Sequence, residues 1–306
     1  MPELFQGVPG ILPIPPVLLP LTSPTPSWLD CQRVEVWVAF PNRRDRGGLT
    51  GLIESLFKRK VLAVQEFTEL LVNSVRHAFT RPRYLVDTLV QMDIIGFGSL
   101  PIVLLTGFFT GGVLALQTYR TLGRFGETGL LGQVVALSMV RELGPVLTAL
   151  MVAGRNSSGI ASEIGSMLVS EQIDAMHALG TDPLRKLVTP RLYAAIITLP
   201  LLTVLSDFFG LVGGAAISIS TARVSGAEYW HSAYQALEFS DCVQGLSKPF
   251  FFGAVIALVG CYFGLHTTGG TEGVGRSTTR AVVASCVMIL LLDFFITKTL
   301  IAVGFF

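Results

Sequence analysis

The sequence predicts an all-α integral membrane protein with an amphipathic interfacial helix, about five transmembrane helices, and a short cytoplasmic helix between the second and third spans. Its residues are 51% hydrophobic and 14% charged, whereas about a quarter of the residues in soluble proteins are charged. The mean hydropathy is +0.62. Several nearly uncharged stretches approach or exceed the roughly 20 residues that cross a bilayer. An ordinary soluble domain is therefore excluded.

The charge balance and the cysteines exclude further classes of protein. The formal net charge is +1, which provides no basic surface for nucleic acid. The four cysteines show neither a CxxC spacing nor a Cys/His metal-binding pattern. We therefore expect no nucleic-acid partner, no metal site and no cofactor.

Residues 1–48 differ in composition from the rest of the chain. Half of the 16 prolines precede residue 27, and proline interrupts helices because it lacks a backbone N–H. We predict a disordered extension here, followed by a membrane domain over residues 49–306.

Residues 52–80 carry apolar side chains at spacings of three and four, with the basic residues Lys58, Arg59, Lys60 and Arg76 between them. This pattern is typical of a helix that lies along a membrane surface, where basic side chains meet anionic headgroups. The alternative is an ordinary helix of a small soluble domain.

Five spans are predicted from the apolar stretches that follow. In chain order they cover residues 94–119, 132–169, 192–222, 249–265 and 281–306. The second span corresponds to about 55 Å of helix at about 1.5 Å per residue, which is too long for one upright crossing. It must tilt, break or project from the membrane, and Pro145 offers a kink without requiring one.

The basic residues that flank the spans predict the orientation. They are more numerous on one side of the membrane when the N-terminus is cytoplasmic and the C-terminus is periplasmic. The loop after the second span is then cytoplasmic. The region between the third and fourth spans is external, and its aromatic residues Tyr229, Trp230, Tyr234 and Phe239 indicate a position at the membrane interface.

Small residues recur along the spans. Each of the first, third and fourth spans contains a GxxxG pair, namely Gly107 and Gly111, Gly210 and Gly214, and Gly260 and Gly264. Small residues allow helix backbones to approach closely in a membrane. The pairs predict close packing within a compact bundle or a dimer.

The loop after the second span contains a short helical pattern over residues 171–179. Ser170 is a potential N-cap, and Gly180 and Pro183 end the pattern. Because so short a helix is marginal in water, its apolar residues Ile173, Met176 and Leu179 need a partner surface. That surface belongs either to another protein or to this chain's own bundle.

Charged residues within the spans are candidates for function, because a charge at bilayer depth is costly unless it pairs or faces water. Glu142 and Lys248 lie toward the same predicted periplasmic side. Both fit a cavity in which the Lys248 ammonium meets a lipid phosphate and Glu142 balances its charge. Alternatively, Glu142 pairs with Arg141 or a neighbouring helix, and Lys248 extends to the interface.

The other intramembrane charges favour structural roles. Arg155 and Glu163 lie on roughly one face of the second span, near its cytoplasmic end. Asp207 and Asp293 lie within apolar runs, where a single carboxyl is typical of an interhelical hydrogen bond. A proton relay through these two aspartates is the alternative.

The sequence contains no motif for covalent chemistry or ATP binding. It has no GxxxxGK[ST] loop, no GxSxG elbow and no HExxH pair. We therefore expect no enzyme activity in this chain and an energy source on another polypeptide.

Several ordered blocks together resemble the MlaE permease family of ABC lipid transporters. These blocks are Arg141–Val146, Ala153–Arg155, Glu163–Met167, Glu171–Met176, Asp182–Leu184 and Pro190–Arg191. The similarity extends from about Leu52 to the end of the chain, and only the proline-rich beginning departs from it.

The resemblance implies a multi-pass permease of the bacterial inner membrane that moves phospholipid or a related lipid. It implies a homodimer, a cytoplasmic ABC ATPase subunit and a periplasmic MCE-domain partner. The short helix then becomes a coupling helix that docks on the ATPase through Glu171, Gln172, Ile173, Asp174, Ala175, Met176 and Leu179. The implied lipid pocket lies in the outer half of the dimer interface, with Glu142, Lys248 and Arg141 as its candidate residues.

Two other functions are compatible with the residues alone. A proton-driven secondary transporter of a small solute would use Asp207 or Asp293, but it predicts internal sequence repeats, which we do not find. A membrane scaffold without transport would keep the short helix and tolerate loss of Glu142 and Lys248.

Overall fold

The computed structural model describes residues 84–222 and 224–303, together with Gln65, Thr68 and Val72, which are helical. Within these residues the chain contains helices and no strand, and five helices are long and apolar enough to cross a membrane. The predicted all-α multi-pass membrane fold is confirmed. The extension predicted at 1–48 and the rest of the surface helix predicted at 52–80 lie outside the described residues.

Seven helices are labelled here in chain order. They are α1 (Leu85–Phe125), α2 (Thr128–Val169), α3 (Gln172–Ala178), α4 (Leu184–Ser220), α5 (Gly226–Ala236), α6 (Phe239–Leu265) and α7 (Gly270–Val303). The long helices α1, α2, α4, α6 and α7 are the five candidate spans. The short helix α3 joins α2 to α4 at one end of the bundle, called the α3 end, and α5 lies at the opposite end.

The spans begin earlier than the hydropathy of the sequence predicts. Helix α6 begins at Phe239 rather than 249, and α7 begins at Gly270 rather than 281. The added turns of α6 contain Asp241 and Lys248, whose charges interrupt the apolar pattern. Both side chains are buried and paired within the bundle, so the helix continues through them.

Helix α2 is interrupted twice by π-helical turns, at Met139–Leu143 and at Ala153–Ser157. Such turns contain one extra residue and often occur at functional sites. Pro145 lies in the first turn of the α-helical segment that follows, where its missing N–H is tolerated. The break expected in this long span therefore takes the form of two π turns.

The GxxxG pairs pack helices together within the bundle, as predicted. A Cβ atom at Gly107 of α1 would lie 2.5 Å from the carbonyl oxygen of Ser206 in α4. A Cβ at Gly264 of α6 would lie 2.8 Å from the Cβ of Ile164 in α2. Larger side chains at these positions would separate the backbones, so glycine allows the close approach.

Helix α5 is anchored by one aromatic side chain. Tyr229 is fully buried, and its hydroxyl donates a hydrogen bond to the carbonyl of Leu211 at 3.3 Å. Burial raises the pKa of Tyr229, so the phenol remains a neutral donor. Trp230 and Tyr234 on the same helix are exposed, which is the amphipathic arrangement typical of a membrane interface.

Candidate functional site

Lys248 of α6 is fully buried, although its side chain is charged. Its Nζ atom lies 2.7 Å from Glu142 Oε2 of α2 and 3.1 Å from Asp293 Oδ1 of α7. Both carboxylates neutralise the ammonium, which satisfies the condition for burying a charge. Three spans therefore meet at one side chain. Lys248, Glu142 and Asp293 are called the Lys248 cluster below.

Pro145 contributes to the Lys248 cluster through the backbone. In an α-helix its N–H would donate to the carbonyl of Arg141, four residues earlier, but proline has no N–H. Lys248 Nζ donates to this carbonyl at 3.0 Å instead. The π turn at Met139–Leu143 thus presents a carbonyl oxygen and the Glu142 carboxylate to the same ammonium.

Glu142 is the most accessible member of the Lys248 cluster. About 41% of its side chain is exposed, against 20% for Asp293 and 0% for Lys248. Its second oxygen, Oε1, accepts a hydrogen bond from Thr297 Oγ1 of α7 at 3.4 Å. Glu142 therefore pairs with a neighbouring helix, which was the alternative expectation, and Lys248 is enclosed instead of extending to the interface.

Arg141 pairs with a residue that the sequence analysis missed. Its Nε and Nη2 atoms lie 2.7 Å and 2.6 Å from Asp241 Oδ1, and the Asp241 side chain is 1% exposed. The other oxygen of Asp241 accepts the backbone N–H of Glu238 at 3.1 Å, in a capping box at the start of α6. The Glu-x-x-Asp spacing of that capping box is the signal that could have revealed it.

The Lys248 cluster and the Arg141–Asp241 pair both lie toward the end of the bundle opposite α3. Lys248 is about 13 Å along α6 from its first residue, and Asp293 is about 15 Å from the last residue of α7, at about 1.5 Å per residue. The Arg141–Asp241 pair is closer still to that end, because Asp241 lies in the first turn of α6. One π turn of α2 therefore supplies a residue to both of these charge groups, namely Arg141 to Asp241 and Glu142 to Lys248.

Asp207 of α4 differs from Asp293, although the sequence grouped them. It is 8% exposed and packs against Gly144 of α2. Among the described residues its Oδ1 atom has no hydrogen-bond partner, so the predicted interhelical hydrogen bond is wrong for Asp207. Asp293 belongs to the Lys248 cluster.

Arg155 and Glu163 contact other helices and not each other. Glu163 Oε2 lies 2.8 Å from Nη2 of Arg191 at the start of α4. Arg155 lies against Gly98 of α1 and donates to Ser99 Oγ at 3.4 Å. These contacts join α2 to α1 and α4 in the half of the bundle near α3.

Helix α3 is both attached to the bundle and exposed. Ile173 is 5% exposed and Met176 is half-buried, and both pack on the core of this chain, whereas Leu179 is 83% exposed. Ser170 does not cap α3 as predicted, because its hydroxyl donates to the carbonyl of Ser166 at 2.8 Å. The predicted coupling residues that face outward are Glu171, Gln172, Asp174, Ala175 and Leu179.

A multi-pass helical bundle with paired charges buried among its spans and an exposed connecting helix at one end has the features of a transporter's membrane subunit. The family model described as permease MlaE matches residues 88–299, and the chain belongs to this family. It is an ABC transporter permease by this membership.

Relatives from two bacteria and a plant support this family assignment. The chain is 46% identical over 222 residues to a probable ABC transporter permease protein of Rickettsia typhi, covering 72% of this chain and 86% of the relative. It is 37% identical to the intermembrane phospholipid transport system permease protein MlaE of Haemophilus influenzae. That alignment covers 70% of this chain and 82% of the relative. It is 41% identical to the chloroplastic protein trigalactosyldiacylglycerol 1 of Arabidopsis thaliana. That alignment covers 69% of this chain and 61% of the relative.

The Lys248 cluster predicts a specific pattern of stability. Lys248→Met leaves Glu142 and Asp293 without their cation, so we expect a loss of about 3–5 kcal/mol in the free energy of unfolding. Adding Glu142→Gln and Asp293→Asn to Lys248→Met removes the unpaired charges and should restore most of that loss. Thermal denaturation of the purified protein in detergent measures both effects.

The matched control is Lys298→Met, which removes an exposed lysine near the end of α7. It should leave the unfolding temperature unchanged. If Lys248→Met were as stable as this control, the buried ammonium would not hold the three spans together.

Proposed function

We propose that this chain is the transmembrane permease subunit of an ABC transporter that moves phospholipid or a related lipid between the bacterial inner membrane and a periplasmic MCE-domain partner. The observation that carries the proposal is the Lys248 cluster, which combines a buried ammonium with an accessible carboxylate. The name of the Haemophilus relative, an intermembrane phospholipid transport permease, supports the substrate class. A separate ATPase supplies the energy, because the sequence contains no phosphate-binding loop of its own.

The lipid site is proposed at Glu142, Lys248 and Arg141. Leu143, which follows Glu142 in sequence, lines a largely apolar groove of about 320 Å³ together with residues of α1 that include Phe109, Val113 and Gln117. A groove of this kind on the same turn of α2 suits the acyl part of a lipid. Because Lys248 is enclosed, a lipid phosphate reaches its ammonium only when the Glu142 carboxylate moves aside. Glu142 thus acts as the exchangeable counterion of Lys248.

The orientation follows from the basic flanks of the spans. With the N-terminus cytoplasmic and the C-terminus periplasmic, α3 lies in the cytoplasm and the Lys248 cluster lies in the outer half of the membrane. A lipid released from that half reaches the periplasm directly. A cytoplasmic ATPase and a periplasmic acceptor then contact opposite ends of α2.

Coupling to the ATPase is proposed through the outward face of α3. Ile173 and Met176 attach the helix to the bundle, so a force on α3 is transmitted to α2 and α4. Glu171, Asp174 and Leu179 remain available for a partner. Fully exposed leucine is unfavourable in water, and burial in a groove of the ATPase would remove that cost.

A homodimer is proposed from an exposed stripe of small residues on α2. Gly154, Ser158, Ser162 and Ser166 follow one another at a spacing of four. A Cβ atom at Gly154 would meet no atom within 4 Å in the single chain. Such stripes permit close helix contact in membranes, so a second copy of this chain is the proposed neighbour.

Leu179→Asp tests the coupling proposal. It should reduce co-purification of the ATPase by about 30-fold, the effect of losing roughly 2 kcal/mol at an interface hot spot. The measurement is affinity purification in mild detergent with quantitative mass spectrometry. Leu130→Asp is the matched control, because Leu130 is an exposed leucine at the opposite end of α2. Equal ATPase recovery from both variants would contradict docking at α3.

Ser162→Cys tests the dimer proposal in a variant whose native cysteines are replaced. Oxidation in membranes should yield a disulfide-linked dimer, because equivalent residues of two close helices lie within disulfide distance. Leu201→Cys on the exposed face of α4 should remain monomeric. A monomer from Ser162→Cys, judged by non-reducing electrophoresis, would rule out this face as the dimer contact.

A further inference from the structure

A cavity of about 200 Å³ lies where the start of α1, the end of α2 and the start of α4 meet. It is at the α3 end of the bundle, opposite to the Lys248 cluster. Its charged lining consists of two acids, Asp87 and Glu163, and two bases, Lys186 and Arg191. The cavity is therefore neutral in total but contains separated charges of both signs.

Arg191 is buried in the wall of this cavity and is paired within the bundle. Its side chain is 3% exposed, and its two terminal nitrogens contact Glu163 Oε2 at 2.8 Å and the carbonyl of Leu187 at 3.1 Å. Its Nε atom has no hydrogen-bond partner among the described residues and is itself buried, so it faces the protein interior. Arg191 therefore contributes positive charge to the wall of the cavity.

Two further charges of the cavity lack partners. Within the described part of the chain, neither Asp87 of α1 nor Lys186 of α4 makes an ion pair or a side-chain hydrogen bond, although both line the same small cavity. An anion alone would pair with Lys186 but leave Asp87 next to a negative charge. A ligand with one negative and one positive group pairs with both.

We propose that this cavity binds the headgroup of a zwitterionic phospholipid from the cytoplasmic leaflet, such as phosphatidylethanolamine. The phosphate oxygens accept hydrogen bonds from Lys186, and the buried guanidinium of Arg191 adds positive charge beside them. The ammonium donates to Asp87 and Glu163. The side chain of Glu163 is half exposed and therefore within reach of a ligand. The assignment to the cytoplasmic leaflet rests on the orientation in the proposed function.

An apolar strip beside the cavity favours a whole lipid over a free headgroup. Val90 lines the cavity, and Ile94 and Phe97 continue its face of α1 at helical spacing. Their side chains are 52%, 49% and 75% exposed, respectively. Acyl chains attached to a headgroup in the cavity would cover this strip as they extend into the bilayer. The chain would then hold lipid at both leaflets, at two separate sites.

The test uses the full chain with a benzoylphenylalanine photo-crosslinker at Ile94, in nanodiscs of equal parts phosphatidylethanolamine and phosphatidylglycerol. Mass spectrometry identifies the attached lipid. Wild type should be enriched in the phosphatidylethanolamine adduct by about tenfold, the factor expected from one charge-assisted hydrogen bond to the ammonium. The same crosslinker at Leu290, on the exposed face of α7, should show no enrichment.

Three variants separate the two charges of the headgroup. Asp87→Asn should abolish the enrichment, because the phosphatidylethanolamine adduct falls about tenfold while the phosphatidylglycerol adduct is unchanged. Lys186→Gln should lower the total adduct of both lipids by about tenfold, because both contain the phosphate. Asp93→Asn, an exposed acid of α1 that does not line the cavity, should behave as wild type. Unchanged enrichment in Asp87→Asn would overturn the proposal.

Two further outcomes would assign the cavity to another ligand. If excess inorganic phosphate removed the adduct equally from wild type and from Asp87→Asn, the cavity would bind a free anion. If Lys186→Gln lost the ATPase and kept the lipid adduct, the cavity would be a protein contact. Either result would overturn the proposed headgroup site without contradicting the proposed function. The proposed function would still stand if ATPase recovery remained sensitive to Leu179→Asp.

Discussion

Burial of the Lys248 ammonium is the constraint on which the half of the bundle opposite α3 depends. An unpaired charge inside an apolar bundle costs several kcal/mol, so its partners must be brought to it. They come from two other spans, as Glu142 and Asp293, and from a backbone carbonyl that Pro145 leaves without its helical donor. The π turn of α2 is the local geometry that presents both groups at once.

The same helix connects this charged half to the α3 end. Helix α2 contains Glu142 in its first π turn and Arg155 in its second, and it leads directly into the connection to α3. In the proposed transporter, ATPase movement at α3 reaches the outer half of the membrane along α2. Glu142 is the point where that movement can release or engage Lys248, because it alone of the three is substantially accessible.

Hydropathy and spacing predicted the five spans and the short helix, and they placed Glu142 and Lys248 on the same side of the membrane. They placed the start of α6 about ten residues too late, because Asp241 and Lys248 interrupt the apolar pattern and their partners are remote in sequence. The outward face of α3 was also hidden, since Ile173 and Leu179 are equally apolar and only tertiary packing separates them. The π turns leave no periodicity that a sequence pattern reveals.

The most direct test of this account is ATP-driven transfer of a fluorescent phospholipid from proteoliposomes containing the assembled transporter to the proposed MCE-domain partner. Glu142→Gln keeps the size of the side chain and removes the charge that exchanges with a lipid phosphate. The account predicts transfer lowered by about tenfold or more, with ATPase assembly intact. Transfer at the wild-type rate would contradict it and reduce the Lys248 cluster to a structural role.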